Sequence, residues 1–238
     1  MSSSSLAFAV SSPEVAVELR DPDRELVRTV DLNEAATWRF ERGPGVRRPA
    51  SYKGQRNWVG AWWFSKSGEF VPYESWVERD WLIALDRSPD VRAVVAQPMT
   101  LHLAAGRHTP DFFVRHSDGS VEIVDVRPDD RIGDVDAAKF EQTDAACALV
   151  GWGYRRVGEM PPVELANLRW LAAYRHPWCA VVGPVGSGAV LDALGSERLP
   201  VNALADKIGC RIAAIPVVFH LMWAGVVQFH ESLPFEAP

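Results

Sequence analysis

Features that would place this chain outside a cell or in a membrane are scarce. Its 238 residues include three cysteines, Cys147, Cys179 and Cys210. An odd number without metal-ligand spacing supports neither a disulfide framework nor a zinc site, so these read as buried or incidental thiols. Residues Met1 to Val10 have no basic n-region and too short an apolar run for export, and no later run reaches membrane-spanning length. The expectation is a cytoplasmic protein with no membrane partner. A positive excess is missing too: 25 Lys and Arg against 31 Asp and Glu leave a net charge of −6. That excludes a surface attractive to polyanions everywhere and leaves room only for local basic clusters.

What is present suits a folded enzyme subunit. With 47% hydrophobic and 24% charged residues, the chain can bury a full core, and its length suggests one main domain and a smaller one. Residues 1–13 read as a disordered lead and 14–160 as the main domain. Pro161-Pro162 marks a change of composition, after which 161–238 is helical with little strand signal. Val15 to Leu19 and Leu26 to Val30 flank Asp21-Pro22-Asp23 as a first hairpin. Tyr73 to Asp86 has helical spacing, Val91 to Ala96 and Met99 to Leu103 read as strands, Asp134 to Val150 as a helix, and Tyr154 to Val157 as a last strand. The order implies an α/β sandwich around a mixed sheet.

Two further runs carry the chemistry. Thr109-Pro110-Asp111-Phe112-Phe113-Val114 and Val121-Glu122-Ile123-Val124-Asp125-Val126-Arg127 are split by Ser117-Asp118-Gly119-Ser120, a turn sequence that predicts a hairpin. With side chains alternating, Asp125 and Arg127 share one face and Val124 and Val126 the other. An acid at the end of each of two adjacent strands reads as a divalent-metal site. Glu78 adds a third carboxylate: Trp81, Leu82 and Leu85 follow it at i+3, i+4 and i+7, which sets it on the apolar stripe of its helix, while Arg79 and Asp80 turn to solvent. Pro-Asp, fourteen residues, then acid-x-base is the pattern of the PD-(D/E)xK nucleases.

The segment from residue 42 to 66 holds six basic residues, Arg42, Arg47, Arg48, Lys53, Arg56 and Lys66, no acidic one, and Tyr52, Trp58, Trp62, Trp63 and Phe64 between them. Such a cluster is a candidate DNA-facing arm, with Arg47, Arg48, Lys53, Arg56 and Lys66 on phosphates; a loop packing its tryptophans on the core is the plainer reading. Arg131, past the second strand, is a further candidate for the DNA backbone. His108, just before Pro110-Asp111, could touch the phosphate or a group beside the metal, a satisfied loop histidine being the plainer reading, and His220 and His230 read as structural.

The ordered set Ser75-Trp76-Val77-Glu78-Arg79-Asp80, Val94-Val95-Ala96-Gln97-Pro98, His108-Thr109-Pro110-Asp111-Phe112, Val124-Asp125-Val126-Arg127 and Val217 to Gly225 resembles the TnsA-like endonuclease subunits of heteromeric transposases, over most of the chain. The resemblance implies a restriction-endonuclease-like mixed sheet flanked by helices, with a small C-terminal helical domain. It implies Mg²⁺-dependent nicking of double-stranded DNA at transposon ends beside an integrase-type transposase subunit, with the C-terminal domain meeting DNA or an ATP-dependent regulator. Carried over, Asp111 is the central ligand, Asp125 and the Val126 carbonyl complete the inner shell, and Glu78 binds a second metal or positions its water; Mn²⁺ would substitute. Arg127 stands where the family has lysine. Arginine keeps its proton and cannot act as a base, though it can clamp a phosphate; Lys139 on the next helix could stand in, a solvated lysine paired with nearby acids being the plainer reading.

In the C-terminal part, Val163 to Tyr174, Leu191 to Leu194, Val201 to Ile208 and Ile212 to Trp223 read as helices and Val226 to Phe229 as a short strand, which together suggest a winged helix. Its last helix has little basic charge beyond Arg211, favouring protein docking over groove reading. The reading is a metal-dependent endonuclease subunit of a transposase; a stand-alone restriction or defence nuclease and a non-catalytic DNA- and partner-binding subunit with a decayed site are the alternatives.

Overall fold

The computed structural model describes residues 15–21, 26–47 and 58–235. The expected lead over residues 1–13, and Arg48, Lys53 and Arg56 of the basic segment, lie outside them. Among the described residues no helix is long and apolar enough to cross a membrane.

The chain opens with the expected hairpin, β1 (Ala16–Arg20) and β2 (Val27–Asp31), followed by a short helix α1 (Leu32–Ala36) that Asp31 caps by accepting from the Asn33 and Glu34 N–H groups. A second hairpin, β3 (Gly60–Phe64) and β4 (Glu69–Tyr73), stands where the sequence reading saw only a basic loop. Ser67-Gly68 was the available signal: Gly68 has φ +72, the left-handed conformation its turn needs. Then come α2 (Trp76–Arg87), β5 (Val91–Ala96), β6 (Met99–Leu103), β7 (Gly106–His108), β8 (Phe112–His116), β9 (Val121–Val126), α3 (Asp134–Leu149) and β10 (Gly153–Val157).

Two four-stranded sheets result. One, in the order β2-β1-β6-β7, is antiparallel; the other runs β10-β9-β8-β5, with β10 parallel to β9 and the remaining pairs antiparallel. Alternation along β8 and β9 sends side chains to two cores. Phe113, Val121 and Ile123 meet Val17, Leu19, Met99 and Leu101 of the first sheet and Ala146 and Cys147 of α3. Phe112, Val114, Val124 and Val126 meet Leu82 and Leu85 of α2 and Phe64 and Val71 of the second hairpin. The second sheet is thus a slab between the first sheet and α3 on one side and α2 on the other.

The rest of the chain is α4 (Pro162–Ala172), a two-residue hairpin β11 (Val181–Val182) and β12 (Val185–Gly186), then α5 (Ser187–Leu194), α6 (Val201–Ile208) and α7 (Arg211–Trp223). These elements share a third core, to which Ile83 of α2 contributes. The strand expected over Val226 to Phe229 is absent. Gly225 at φ +72 ends α7, and the Val226 and Val227 N–H groups both donate to the Leu221 carbonyl. With its amides engaged by the helix end, the segment packs Val227 and Phe229 on the third core instead of joining a sheet.

Candidate functional site

The acids converge at one end of the second sheet. Phe112 lies opposite Val124 and Ala96, a register that carries Asp111 to the level of Asp125 on one side and Gln97 on the other. Two hydrogen bonds tie this rung together. The Gln97 N–H donates to the Asp111 carbonyl (2.8 Å), and the Val126 N–H donates to Asp111 Oδ2 (2.7 Å). Gln97 is buried and has φ +47, among the described residues the one non-glycine backbone in the left-handed region, where strain is stored at functional sites.

Asp125 is 2% exposed and faces away from Val124 and Val126, as strand alternation predicts. Its Oδ2 accepts from Tyr154 Oη (2.9 Å) and pairs with His108 Nε2 (2.9 Å). His108 thus stands against an expected metal ligand, the less plain of its two sequence readings, whereas Tyr154 has no signal in the sequence, because β10 reaches Asp125 only through parallel pairing with β9. Burial foremost, then the Asp125 charge and hydrogen bond, push the Tyr154 hydroxyl far above its ordinary range and fix it as a donor. Cys147, buried nearby, is pushed up to about 12 by burial and by Asp125, so it is an inert thiol.

Glu78 arrives from the other face, in the first turn of α2. Its Oε1 accepts from Ser75 Oγ (2.8 Å) and its Oε2 from the Glu74 N–H (2.7 Å), while Ser75 Oγ accepts from the Glu78 N–H (3.2 Å). This is a variant of the capping box: Ser75 satisfies the Glu78 N–H that the helix start leaves open, and the Glu78 carboxylate reaches back to the Ser75 hydroxyl and to the N–H one residue before the cap. Burial raises the Glu78 carboxyl above its usual range and the Glu74 charge adds to this, while the cap bonds and Arg47 pull it back. Asp111 is held well above the ordinary carboxylate range, first by burial and then by the charges of Glu78 and Asp125, with Glu74 adding to them; the Val126 N–H opposes this. The structure therefore concentrates negative charge at a desolvated strand end.

The remaining expected site residues divide. Arg47 is at the rim, with Nε donating to Gln97 Oε1 (3.1 Å) and Nη2 to Glu74 Oε2 (2.7 Å). Arg127 points elsewhere: Nη2 donates to Asp136 Oδ2 (2.9 Å) and Nε to the Arg131 carbonyl (3.2 Å). Arg131 is exposed on the same turn. Lys66 donates to the Ser88 carbonyl beyond the far end of α2, ten residues or about 15 Å of helix from Glu78. Lys139 has its side chain beside Gly106 of β7. One acid expected in solvent is buried: Asp80 is 4% exposed and paired with Arg169 (2.6 Å) and Arg79 (2.8 Å). The reason is tertiary: α4 packs on α2 there and brings the guanidinium that makes burial tolerable.

Among the described residues no group of three His, Cys, Asp or Glu side chains stands ready to hold a metal ion. Glu78 has both oxygens in the helix cap, whereas Asp111 and Asp125 each keep one oxygen without a hydrogen bond from a described residue. Two carboxylates suit Mg²⁺, which keeps several waters and takes further oxygens from a phosphate rather than from a protein cage. The donor set fits that ion. Comparison of the chain with protein-family models gives no match, and comparison with curated proteins gives none either.

Proposed function

We propose that this chain is a metal-dependent DNA endonuclease, a cytoplasmic TnsA-like subunit that nicks one strand at transposon ends beside an integrase-type subunit. The observation that carries the reading is the convergence of Asp111 and Asp125 at one level of adjacent strands, each with one oxygen held by the protein and the other without a hydrogen bond from a described residue; burial and neighbouring charge raise the Asp111 carboxyl, in keeping with a place for a divalent cation. With β6 and β7 set aside in the first sheet, the succession α2, β5, β8, β9, α3 and the parallel strand β10 is the one a restriction-endonuclease-like core would have, and it supports the same reading.

In the hydrolysis, a water oxygen bonds to phosphorus, the bond from phosphorus to one sugar oxygen breaks, and that oxygen takes up a proton. Asp111 and Asp125 would hold the divalent cation, which would supply a nucleophilic water near neutral pH and neutralise charge on the phosphate. The chain's own residues do the positioning. The Val126 N–H fixes one Asp111 oxygen, Tyr154 and His108 fix one Asp125 oxygen, and the other oxygen of each is left for the ion. Glu78 contributes charge and a rigid start to α2, and the Glu78 ligand role that the resemblance implies is not needed here.

Tyr154→Phe keeps the ring and removes one donor to Asp125. Mn²⁺ affinity measured by calorimetry is expected to fall about tenfold, the usual cost of losing a partner of a metal ligand. Unchanged affinity would remove Tyr154 from the site.

The C-terminal unit is a docking surface for protein. In α7 the residues Ala213, Ala214, Val217, Val218, Phe219, Leu221, Met222 and Trp223 are all buried, so the helix that a winged helix would lay in a groove is here the centre of a core. The partner this suits is the integrase-type subunit or an ATP-dependent regulator.

A second reading, a DNA- and partner-binding subunit with a decayed site, is favoured by one observation, the turning of Arg127 to Asp136. Supercoiled plasmid incubated with the protein and Mg²⁺ or Mn²⁺, alone and with the products of neighbouring genes, separates the two. Metal-dependent nicking is the expected outcome. Nicking by the chain alone indicates a stand-alone nuclease; no nicking in any combination, with DNA or partner binding retained, indicates the decayed scaffold.

A further inference from the structure

We infer that Arg47, and not Arg127, is the catalytic cation that meets the scissile phosphate at the Asp111–Asp125 site; this rests on the endonuclease reading. The two arginines sit in opposite circumstances. Arg127 follows β9 directly, but its guanidinium is drawn to the first turn of α3, where it pairs with Asp136 and caps the Arg131 carbonyl. An acid in that first turn is favoured by the helix dipole, so Asp136 is a stable partner that holds Arg127 away from the strand end.

Arg47 is built into the site from the backbone outward. At Gly45 a Cβ would stand 2.1 Å from the Ala96 carbonyl oxygen and 2.5 Å from that of Gln97, so only glycine lets this segment lie against the exit of β5. The Val46 N–H then donates to the Gln97 carbonyl (2.8 Å), and Arg47 Nε reaches the same residue's side chain. Gln97 in turn donates its N–H to the Asp111 carbonyl. On its other side Arg47 holds Glu74, whose N–H is bonded to Glu78. The guanidinium is therefore one residue removed from both Asp111 and Glu78, yet its side chain is 58% exposed and open to a ligand.

Its present anion shows what it recognises. Glu74 Oε2 at 2.7 Å is a carboxylate in the position of an oxyanion, and a planar guanidinium accepts phosphate oxygens in the same forked geometry. A phosphate entering beside Asp111 would take one arm of Arg47 while the Gln97 bond keeps the group aimed. A positive charge already oriented costs no reorganisation as negative charge builds on the phosphate, which is the condition for stabilising a transition state rather than a ground state.

The test compares Arg47→Gln, Arg47→Lys and Arg127→Ala with the wild type, measuring kcat and KM for Mg²⁺-dependent nicking, and duplex-DNA affinity with Ca²⁺ in place of Mg²⁺. Arg47→Gln is expected to lose about 10²- to 10³-fold in kcat, the effect of removing one preorganised transition-state partner. DNA affinity should change by less than about threefold, and Arg47→Lys should recover part of the loss. Arg127→Ala should lose at least about tenfold less than Arg47→Gln. The inference is overturned if the Arg47 loss falls wholly in KM, or if Arg127→Ala shows the larger kcat loss. Melting temperatures of the variants identify a folding defect, in which case Arg47→Lys decides: wild-type kcat in that variant together with a large Arg127→Ala loss overturns the inference. A wild type that binds DNA but never nicks it sinks the endonuclease reading itself, a different result from active wild type with an indifferent Arg47.

Discussion

Replacing Asp111 with asparagine is expected to abolish nicking and, in the same protein, to raise the melting temperature of the metal-free fold. Loss of the central carboxylate removes several kcal/mol of charge stabilisation, and about 4 kcal/mol corresponds to a rate near one thousandth of wild type. The gain in stability follows from the raised carboxyl. Because burial, Glu78 and Asp125 lift it above the ordinary aspartate range, the folded chain holds this proton over a pH window in which the unfolded chain has released it. Stability falls as pH rises through that window: the contribution is intact below the ordinary aspartate value and lost above the raised one. Asparagine cannot ionise and escapes the loss. In EDTA, wild type should lose melting temperature more steeply than Asp111→Asn as pH rises from the ordinary aspartate range through the raised one. Mg²⁺ should then stabilise the wild type and leave the variant unmoved. Parallel pH curves would show that Asp111 is not held in a repulsive cluster, whatever the activity data say.

Asp86→Ala is expected to be the most damaging single change away from the site. Asp86 is 1% exposed, and its carboxylate accepts from Trp62 Nε1 (3.0 Å), the Ser65 N–H (2.9 Å) and Ser65 Oγ (2.6 Å). It pins the β3–β4 hairpin to the last turn of α2. Its charge also acts on Lys66 and Arg175, whose charged forms burial disfavours foremost. Truncation strands three donors and removes that counter-charge, for a loss of about 3–5 kcal/mol, or roughly 10 °C in melting temperature. Asp129→Ala, at a side chain 82% exposed, should stay within about 0.5 kcal/mol of wild type. A loss under about 1 kcal/mol at Asp86 would mean that the hairpin is held by apolar packing of Phe64 and Val71 instead.

Both predictions depend on residues that the sequence displays in very different ways. Asp111 and Asp125 are legible because a short turn joins their strands, and local chemistry sets that register. Asp86 looked like a helix end, Ser88-Pro89 following it, and nothing in its neighbourhood announces that Trp62 and Ser65 fold back on it from more than twenty residues away. The Glu78 reading was half met. Its spacing puts it on the inner side of α2, as expected, but Ser75 three residues before it was the capping-box signal, and that explains both carboxylate oxygens. His108 and Tyr154 converge on one oxygen of Asp125 from two different strands, across separations of 17 and 29 residues. Adjacency of that kind is created by sheet order and has no counterpart in spacing.

The sequence by itself determined the elements and their faces. Strands β5 and β6 and helix α6 fall at the expected bounds because alternation, helical spacing and bounding prolines and glycines act within a few residues. It also determined that two acids reach the end of adjacent strands. The tertiary structure alone decided which charges meet: Arg47 with Glu74 across 27 residues, Asp80 with Arg169 across 89, and Arg127 with Asp136 instead of the acids. A long charged side chain has several partners within reach of its stem, and the choice is fixed by which backbone segments pack beside it and how much water they exclude. Gly45 against β5, α4 against α2, and the first turn of α3 beside the exit of β9 made those choices here.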